Sequence, residues 1–106
     1  MKKAYLILDF KITDMGAFME YVQKIPIYIE KHAGKYIVEG VKPKVIEGIW
    51  EPDTIVLLEF SSKENAENFL TDPEIQDLFA IRHRTTKSNL ILVEGGSWRD
   101  AFSESA

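Results

Sequence analysis

The sequence predicts one α+β domain in which two helical regions cover one face of an antiparallel sheet. Segments with alternating hydrophobicity and segments with apolar residues three and four apart follow the order strand, helix, strand, strand, helix, strand. The length of 106 residues fits a single domain, assigned to residues 1–95, with residues 96–106 as a C-terminal tail. Hydrophobic residues make up 45% and charged residues 28%, which excludes a disordered or fibrous chain.

The first strand and the first helical region follow from two periodicities. Residues 4–12 alternate between an apolar face and a mixed face, which predicts a strand. Asp14 is a candidate cap for the apolar stripe that follows at steps of three and four, which predicts a helix of about four turns. Pro26 predicts a kink or break in this helix, because it removes a donor and clashes with the preceding turn. Gly34 is expected to end it in a left-handed conformation.

The middle of the chain predicts three β segments. Residues 35–41 and 45–50 are expected to form a bent or broken hairpin, interrupted at Pro43. Residues 54–60 form the third β segment.

The second helical region and the last strand complete the pattern. Ser61 and Glu64 have the spacing of a capping box, which predicts a helix start. Asp72 and the following proline predict that the helix restarts there, with Asp72 as its cap. Residues 89–94 are apolar and form the final strand.

This order of elements predicts the ferredoxin-like βαββαβ arrangement, with the first and third strands inside the sheet and parallel to each other. Two helical regions shield only one face of such a sheet. Residues 55–58 and 90–93 are nevertheless apolar on both faces, and Ile7 adds to the uncovered face. We therefore expect a homodimer in which two sheets pack face to face.

Composition and charge exclude several classes of function. The net charge of −4 argues against nucleic-acid binding, and the absence of cysteine removes disulfides and sulfur-based metal sites. Asp9 stops the N-terminal apolar run before it reaches the length of a signal core, and no stretch is long enough to span a membrane. We therefore expect a cytoplasmic protein. We also expect no metal site, since the two histidines do not form a His-x-x-x-His pair. No glycine-rich phosphate loop is present, and no cofactor is predicted.

A set of residues and short strings recurs in a known order and spacing. They are, in chain order, Asp14, Phe18, Tyr21 and Pro26, Gly34, the string from Val45 to Pro52, the string from Leu58 to Ser61, Asp72 to Glu74, Arg82, and Leu92 to Gly95. Together they resemble the domain-of-unknown-function family 1330, within the dimeric α/β-barrel superfamily, and the resemblance runs from about Tyr5 to Gly95. The resemblance implies that two ferredoxin-like sheets pack as a dimeric α/β barrel. It does not imply one reaction, because superfamily relatives include cofactor-free monooxygenases, isomerases and haem enzymes.

The chain departs from the family pattern at three places that we expect near a pocket. Glu39-Gly40 stands where a glycine pair is common, and Phe69-Leu70 where an aromatic pair is common. Thr54 stands where a basic residue is frequent.

Asp9, Glu59 and His32 are the candidate catalytic residues. Asp9 and Glu59 lie near the ends of neighbouring strands, and strand parity places both on the face away from the helices. Two carboxylates in a cavity buried by a dimer would repel each other, which would raise the pKa of one of them and suit it to acid/base work. The alternative is that each carboxylate pairs with a nearby lysine or opens to solvent.

The candidate ligand-binding residues lie on the two helical regions and after the second strand. Tyr21, Tyr28 and His32 form a polar-aromatic line beside the first apolar stripe. Arg82 recurs in the family and could hold a carboxylate or enolate, with His83 beside it, or it could be a surface salt-bridge partner. Trp50 is either a pocket rim or a core side chain.

Two classes of function follow, and the sequence leaves the choice between them open. One is a cofactor-independent enzyme that acts on a small organic acid or aromatic metabolite by acid/base chemistry. The alternative is a non-catalytic dimer, either ligand-binding or purely structural.

Overall fold

The predicted order of elements is confirmed in a computed structural model, which describes residues 2–100. Each predicted helical region consists of two helices, because a proline begins a new turn inside each region. The elements are β1 (Ala4–Ile12), α1 (Met15–Lys24), α2 (Pro26–Lys31), β2 (Gly34–Val41), β3 (Thr54–Phe60), α3 (Lys63–Thr71), α4 (Gln76–Thr85) and β4 (Thr86–Glu94). A short 3₁₀ turn, Pro73–Ile75, links α3 to α4.

The four strands form one antiparallel sheet in the order β2-β3-β1-β4. The prediction that β1 and β3 are the inner strands is confirmed, but the prediction that they run parallel is wrong. The helical crossover returns β2 in the same direction as β1 but two places away. The hairpin then inserts β3 between them, antiparallel to both.

The helices cover one face of the sheet, and the core lies between the two layers. Ala4, Leu6, Leu8 and Phe10 of β1 are buried on this face, while the residues between them are half-buried. Phe60 of β3 is completely buried and packs against the α3 ring of Phe69, with ring centroids 5.3 Å apart.

The opposite face of the sheet is apolar at its centre, as the sequence predicts. We call this the outer face. Ile7 pairs with Leu57 on one side and with Ile91 on the other, and none of the three is buried. Ile91 keeps 56% of its surface exposed within the single chain.

The prediction of a strand over residues 45–50 is wrong. Residues 42–53 form an extended loop without strand pairing, in which Ile49 is fully exposed. The physical reason is that β2 pairs directly with β3, so this segment has no partner strand. Gly48 has φ +89°, a conformation that also interrupts a regular strand.

The helix ends differ from expectation at two positions. Ala33, not Gly34, adopts the left-handed conformation after α2, with φ +60°. Gly34 begins β2. Glycine is favoured at this position because an added Cβ would lie 2.6 Å from the nearest atom of the Phe60 ring. At α3 the cap is Ser62 rather than Ser61, since the Ser62 hydroxyl accepts the backbone N–H of Asn65 at 3.1 Å.

Two other predicted helix caps are confirmed. Asp14 accepts the Ala17 N–H at 3.2 Å, and Asp72 accepts the Glu74 N–H at 2.9 Å.

The strand after α4 begins at Thr86, three residues earlier than predicted. Of the predicted C-terminal tail, residues 101–106 lie outside the described residues. Across residues 2–100 no helix has the length and apolar character needed to cross a membrane. The cytoplasmic location stays a prediction.

Candidate functional site

A pocket of about 360 Å³ lies between the helix-covered face of the sheet and the helices above it. All four strands and all four helices contribute to its lining, and most of the lining side chains are apolar, among them Leu8, Phe10 and Phe18. Met15 of α1, Gly40 at the end of β2 and Thr54 at the start of β3 also line it. The pocket therefore reaches the end of the sheet from which the loop over residues 42–53 departs.

Arg82 is the cation in this lining, and it is 5% exposed. Its Nη1 donates a hydrogen bond to the Ser88 hydroxyl at 3.0 Å, and its Nη2 lies 3.4 Å from Nε2 of His83. The guanidinium carbon lies 5.8 Å from the centre of the Phe79 ring. Across residues 2–100 no carboxylate forms an ion pair with Arg82. A buried cation without a counter-ion is costly, because burial removes the water that would otherwise stabilise its charge.

Two tyrosines line the same pocket, and burial is the main cause of a raised pKa in both. Burial raises the pKa of Tyr21, and the positive charge of Arg82 opposes part of this rise. Burial also raises the pKa of Tyr36, with smaller contributions from Tyr21 and the negative charge of Glu39. Both hydroxyls therefore stay protonated at neutral pH and can donate hydrogen bonds into the pocket.

Glu39 reaches the pocket because β2 is irregular. Tyr36 pairs with Leu58, and the next paired residue is Val38, so Ile37 is an extra residue in the strand. This bulge shifts the alternation of side chains by one position. As a result Glu39 pairs with Val56 on the helix-covered face and lines the pocket.

Asp9 and Glu59 both lie on the outer face, as strand parity predicts, but they are not neighbours. Asp9 pairs with Ile55, whereas Glu59 pairs with Tyr5, four residues away along β1. The antiparallel pairing of β1 and β3 causes this separation. Four residues correspond to about 13 Å along β1 between Asp9 and the residue opposite Glu59. The expected repulsion between the two carboxylates is therefore absent from the described part of the chain.

Each of these carboxylates has its own partner. Lys3 and Lys35 lie 3.2 Å and 3.6 Å from Glu59 Oε1. Desolvation raises the pKa of Glu59, but the hydrogen bond and charge of Lys3 and the charge of Lys35 together hold it below its usual value. Asp9 Oδ2 accepts a hydrogen bond from the Trp50 indole at 3.1 Å.

His32 and Tyr28 lie apart from the pocket. His32 Nε2 is 2.7 Å from Asp72 Oδ2, a contact between the end of α2 and the start of the 3₁₀ turn. Tyr28 lines a separate depression together with Glu74 and Asp77. The predicted line of Tyr21, Tyr28 and His32 is thus divided, and Tyr21 alone of the three lines the pocket.

Trp50 and His83 lie outside the pocket lining formed by residues 2–100. Trp50 is 63% exposed, so the expectation of a core side chain is wrong. His83 is exposed, and its Nε2 accepts from Arg82 Nη2, since a guanidinium can only donate.

Three polar lining residues were not among the predicted site residues: Tyr36, Glu39 and Thr54. A signal for two of them exists in the sequence. Glu39-Gly40, Leu70 and Thr54, the positions at which the chain departs from the family pattern, all line the pocket. The departures from the family pattern therefore fall in the pocket lining, which also contains Phe18, Tyr21, Leu58 and Arg82, residues that carry the resemblance.

The described residues contain no group of three or more histidine, cysteine, aspartate and glutamate side chains that could hold a metal ion.

Comparison with solved structures gives similarity in fold at low sequence identity. The RPA0582 protein of unknown function from Rhodopseudomonas palustris has a TM-score of 0.71 at 14% identity, covering 91% of this chain and 84% of that one. SnoaB, a cofactor-independent oxygenase from Streptomyces nogalater, has a TM-score of 0.63 at 9% identity, covering 92% and 96%.

A third similar structure is described as a dimeric protein of unknown function with a ferredoxin-like fold, from Bacteroides fragilis. Its TM-score is 0.56 at 18% identity, and the match covers 88% of this chain and 96% of that one. At these identities the likeness concerns the fold alone.

Sequence comparison places the chain in a family. No curated protein matches it. The pattern of the domain of unknown function DUF1330 matches residues 3–96, nearly the whole chain. The predicted resemblance is confirmed: the chain belongs to the DUF1330 family.

Proposed function

We propose that this protein binds a small, largely apolar organic acid in the pocket between helices and sheet, with the ligand's carboxylate on Arg82. The observation that carries the proposal is the buried guanidinium of Arg82, which lines the pocket and has no carboxylate partner within residues 2–100. A planar guanidinium presents two parallel donors that match a carboxylate. A ligand carboxylate would supply the missing counter-charge.

The rest of the pocket supports an apolar body for the ligand. Leucine, isoleucine, valine and phenylalanine side chains form most of the lining. A volume of about 360 Å³ is at the lower end of small-molecule sites. The hydroxyls of Tyr21 and Tyr36 add hydrogen-bond donors for a second polar group or for the carboxylate itself.

A matched pair of arginine variants tests the proposal. Arg82→Lys keeps the charge but loses the paired donors, whereas Arg84→Lys makes the same change at an exposed position of the same helix. We expect Arg82→Lys to weaken the binding of benzoate and its para-alkyl derivatives by about tenfold or more. Arg84→Lys should leave binding unchanged.

Circular dichroism of both variants checks that they are folded. Equal affinity of folded Arg82→Lys and the unmodified protein would contradict the proposal. If Arg82→Lys does not fold, Tyr21→Phe replaces it, because that variant removes only a hydroxyl beside the guanidinium. An unchanged affinity in Tyr21→Phe together with equal binding of benzoate and benzamide would also contradict the proposal.

A cofactor-independent enzyme is the second candidate. Its support is the Tyr21 hydroxyl beside Arg82, together with the Tyr36 hydroxyl in the same lining, since both can donate hydrogen bonds that stabilise an enolate. The similar structure of SnoaB, described as a cofactor-independent oxygenase, is consistent with chemistry on this fold. Asp9, Glu59 and His32 are not among the residues in 2–100 that line the pocket, so Tyr21 and Tyr36 are the better candidates for proton transfer. This candidate would be supported if the protein turns over a bound acid and Tyr36→Phe abolishes the turnover without loss of binding.

We also propose that the chain forms a homodimer through the outer face. Ile7, Leu57 and Ile91 make an apolar centre, and charged residues such as Asp9 and Glu59 lie toward its ends. An apolar centre with a polar rim is typical of protein interfaces. The Bacteroides fragilis protein with a similar fold is described as dimeric.

Two isoleucine variants test the dimer. Ile91→Asp puts a charge on the outer face, and Ile27→Asp does so on α2, where the side chain is 65% exposed. We expect sedimentation equilibrium to give a dimer for the unmodified chain and for Ile27→Asp, and a monomer for Ile91→Asp. A monomeric unmodified chain at micromolar concentration would contradict the proposal.

A further inference from the structure

We infer that the pocket selects a bipolar ligand, an organic acid whose far end carries a protonated amine held by Glu39. The inference rests on the proposed function, since it takes the carboxylate end of the ligand to lie at Arg82. It adds the chemical class of the other end, which neither the family nor the similar structures specify.

The pocket lining contains one cation and one carboxylate among the residues described, Arg82 and Glu39. The sheet register places them at opposite sides. Arg82 donates to Ser88 on β4, and Glu39 lies on β2, at the other edge of the sheet. Three strand spacings of about 4.8 Å separate these two edges, or roughly 14 Å between backbones. Both residues line the pocket, Arg82 buried and Glu39 exposed, so this separation favours a ring-sized spacer with a hydrogen bond at each end.

The bulge in β2 is what turns Glu39 toward the pocket. Without the extra residue Ile37, the alternation that places Tyr36 on the helix-covered face would place Glu39 on the outer face. A second irregularity follows at Gly40, whose φ of +72° favours glycine. Bulges are common beside binding sites because they redirect a side chain in this way.

The carboxylate of Glu39 is available for a ligand. Within residues 2–100 it has neither a hydrogen bond nor an ion pair. Its neighbours in the lining are Gly40 and Thr54, and neither offers a positive charge. The nearby Tyr36 hydroxyl feels its negative charge, which contributes to the raised pKa of that tyrosine. An ammonium group would meet both a carboxylate and a phenol oxygen there.

Two acids of nearly the same shape test the inference by isothermal titration calorimetry. The probes are 4-(aminomethyl)benzoate and 4-ethylbenzoate. At the end away from the carboxylate, the first carries an ammonium group where the second carries a methyl group. The measured quantity is the ratio of their dissociation constants in the unmodified protein and in Glu39→Gln. Glu47→Gln is the matched control, since Glu47 is an exposed carboxylate in the loop and is not in the lining.

We expect Glu39→Gln to weaken the binding of 4-(aminomethyl)benzoate about tenfold relative to that of 4-ethylbenzoate. Glu47→Gln should leave the ratio of the two dissociation constants unchanged. A ratio that is the same in Glu39→Gln and the unmodified protein, with both acids still bound, would overturn the inference and leave the proposed function standing. Failure of both acids to bind the unmodified protein would instead overturn the proposed function, and the inference with it.

Discussion

His32 Nε2 lies 2.7 Å from Asp72 Oδ2, and this contact joins the end of α2 to the turn between α3 and α4. Lys31 contributes a second contact to the same oxygen, at 2.8 Å. The Asp72 carboxylate is almost fully buried and also accepts the Glu74 N–H. A histidine that sequence reasoning placed among the catalytic candidates thus has a structural contact and does not line the pocket.

Replacing Asp72 should destabilise the fold. Asp72→Asn removes the negative charge that Lys31 and His32 share, while it keeps a similar shape. We expect the Tm of this variant to fall by several degrees, measured by differential scanning calorimetry. The control is Asp53→Asn in the exposed loop, which should leave the Tm unchanged. Equal Tm values for the two variants would show that the contact stabilises nothing.

The same carboxylate should make stability depend on pH in the acid range. The hydrogen bonds from Lys31 and His32, followed by the Glu74 N–H, hold the pKa of Asp72 well below its usual value in the folded state. Its contribution to stability is therefore fully present above the unfolded pKa of about 3.9 and is lost as the pH falls toward the folded pKa. Urea unfolding at a series of pH values should give a steeper loss below about pH 4 for the unmodified protein than for Asp72→Asn. Parallel curves would contradict this linkage.

Gly34 should not tolerate a side chain. An added Cβ would lie 2.6 Å from the ring of Phe60, which is completely buried. We expect Gly34→Ala to lower the free energy of unfolding by roughly 1–3 kcal/mol, because the core must shift to make room. Gly16→Ala is the control, since an added Cβ in α1 meets nothing closer than 3.8 Å. The control should be neutral or slightly stabilising, and a similar loss in both variants would contradict the packing argument.

Ala33 offers the opposite change. Its φ of +60° is strained for any residue with a Cβ, so Ala33→Gly should raise the free energy of unfolding by about 0.5–1 kcal/mol. Ala80→Gly, at an exposed position inside α4, should lower it by about 1 kcal/mol. Denaturant titration of both variants measures the two effects, and a loss of stability in Ala33→Gly would contradict the assignment of strain.

The fold was predictable because periodicity reports which face of an element is buried. The alternation along β1 and the proline-marked helix starts at Pro26 and Pro73 appear in the structure where the sequence places them. The sequence also singled out Arg82, through its recurrence in the family, and this residue lines the pocket.

The rest of the site depends on register, which a single sequence does not contain. Asp9 and Glu59 lie on the predicted face of the sheet but near opposite ends of the paired strands β1 and β3. The direction and register of the two strands decide which of their residues meet. Glu39 was missed because one extra residue, Ile37, reverses the side chains that follow it. Trp50 looked like a core residue by its size, but its segment has no strand to pair with.

The role of Arg82 as the carboxylate site is tested by the affinity of the unmodified protein for an acid and for its neutral amide. Titration calorimetry with 4-ethylbenzoate and 4-ethylbenzamide compares ligands that share the apolar body and differ in charge at the end assigned to Arg82. We expect the acid to bind at least about tenfold more tightly than the amide, because only the acid supplies a counter-charge to the buried guanidinium. Equal binding of the two, or tighter binding of the amide, would contradict the account.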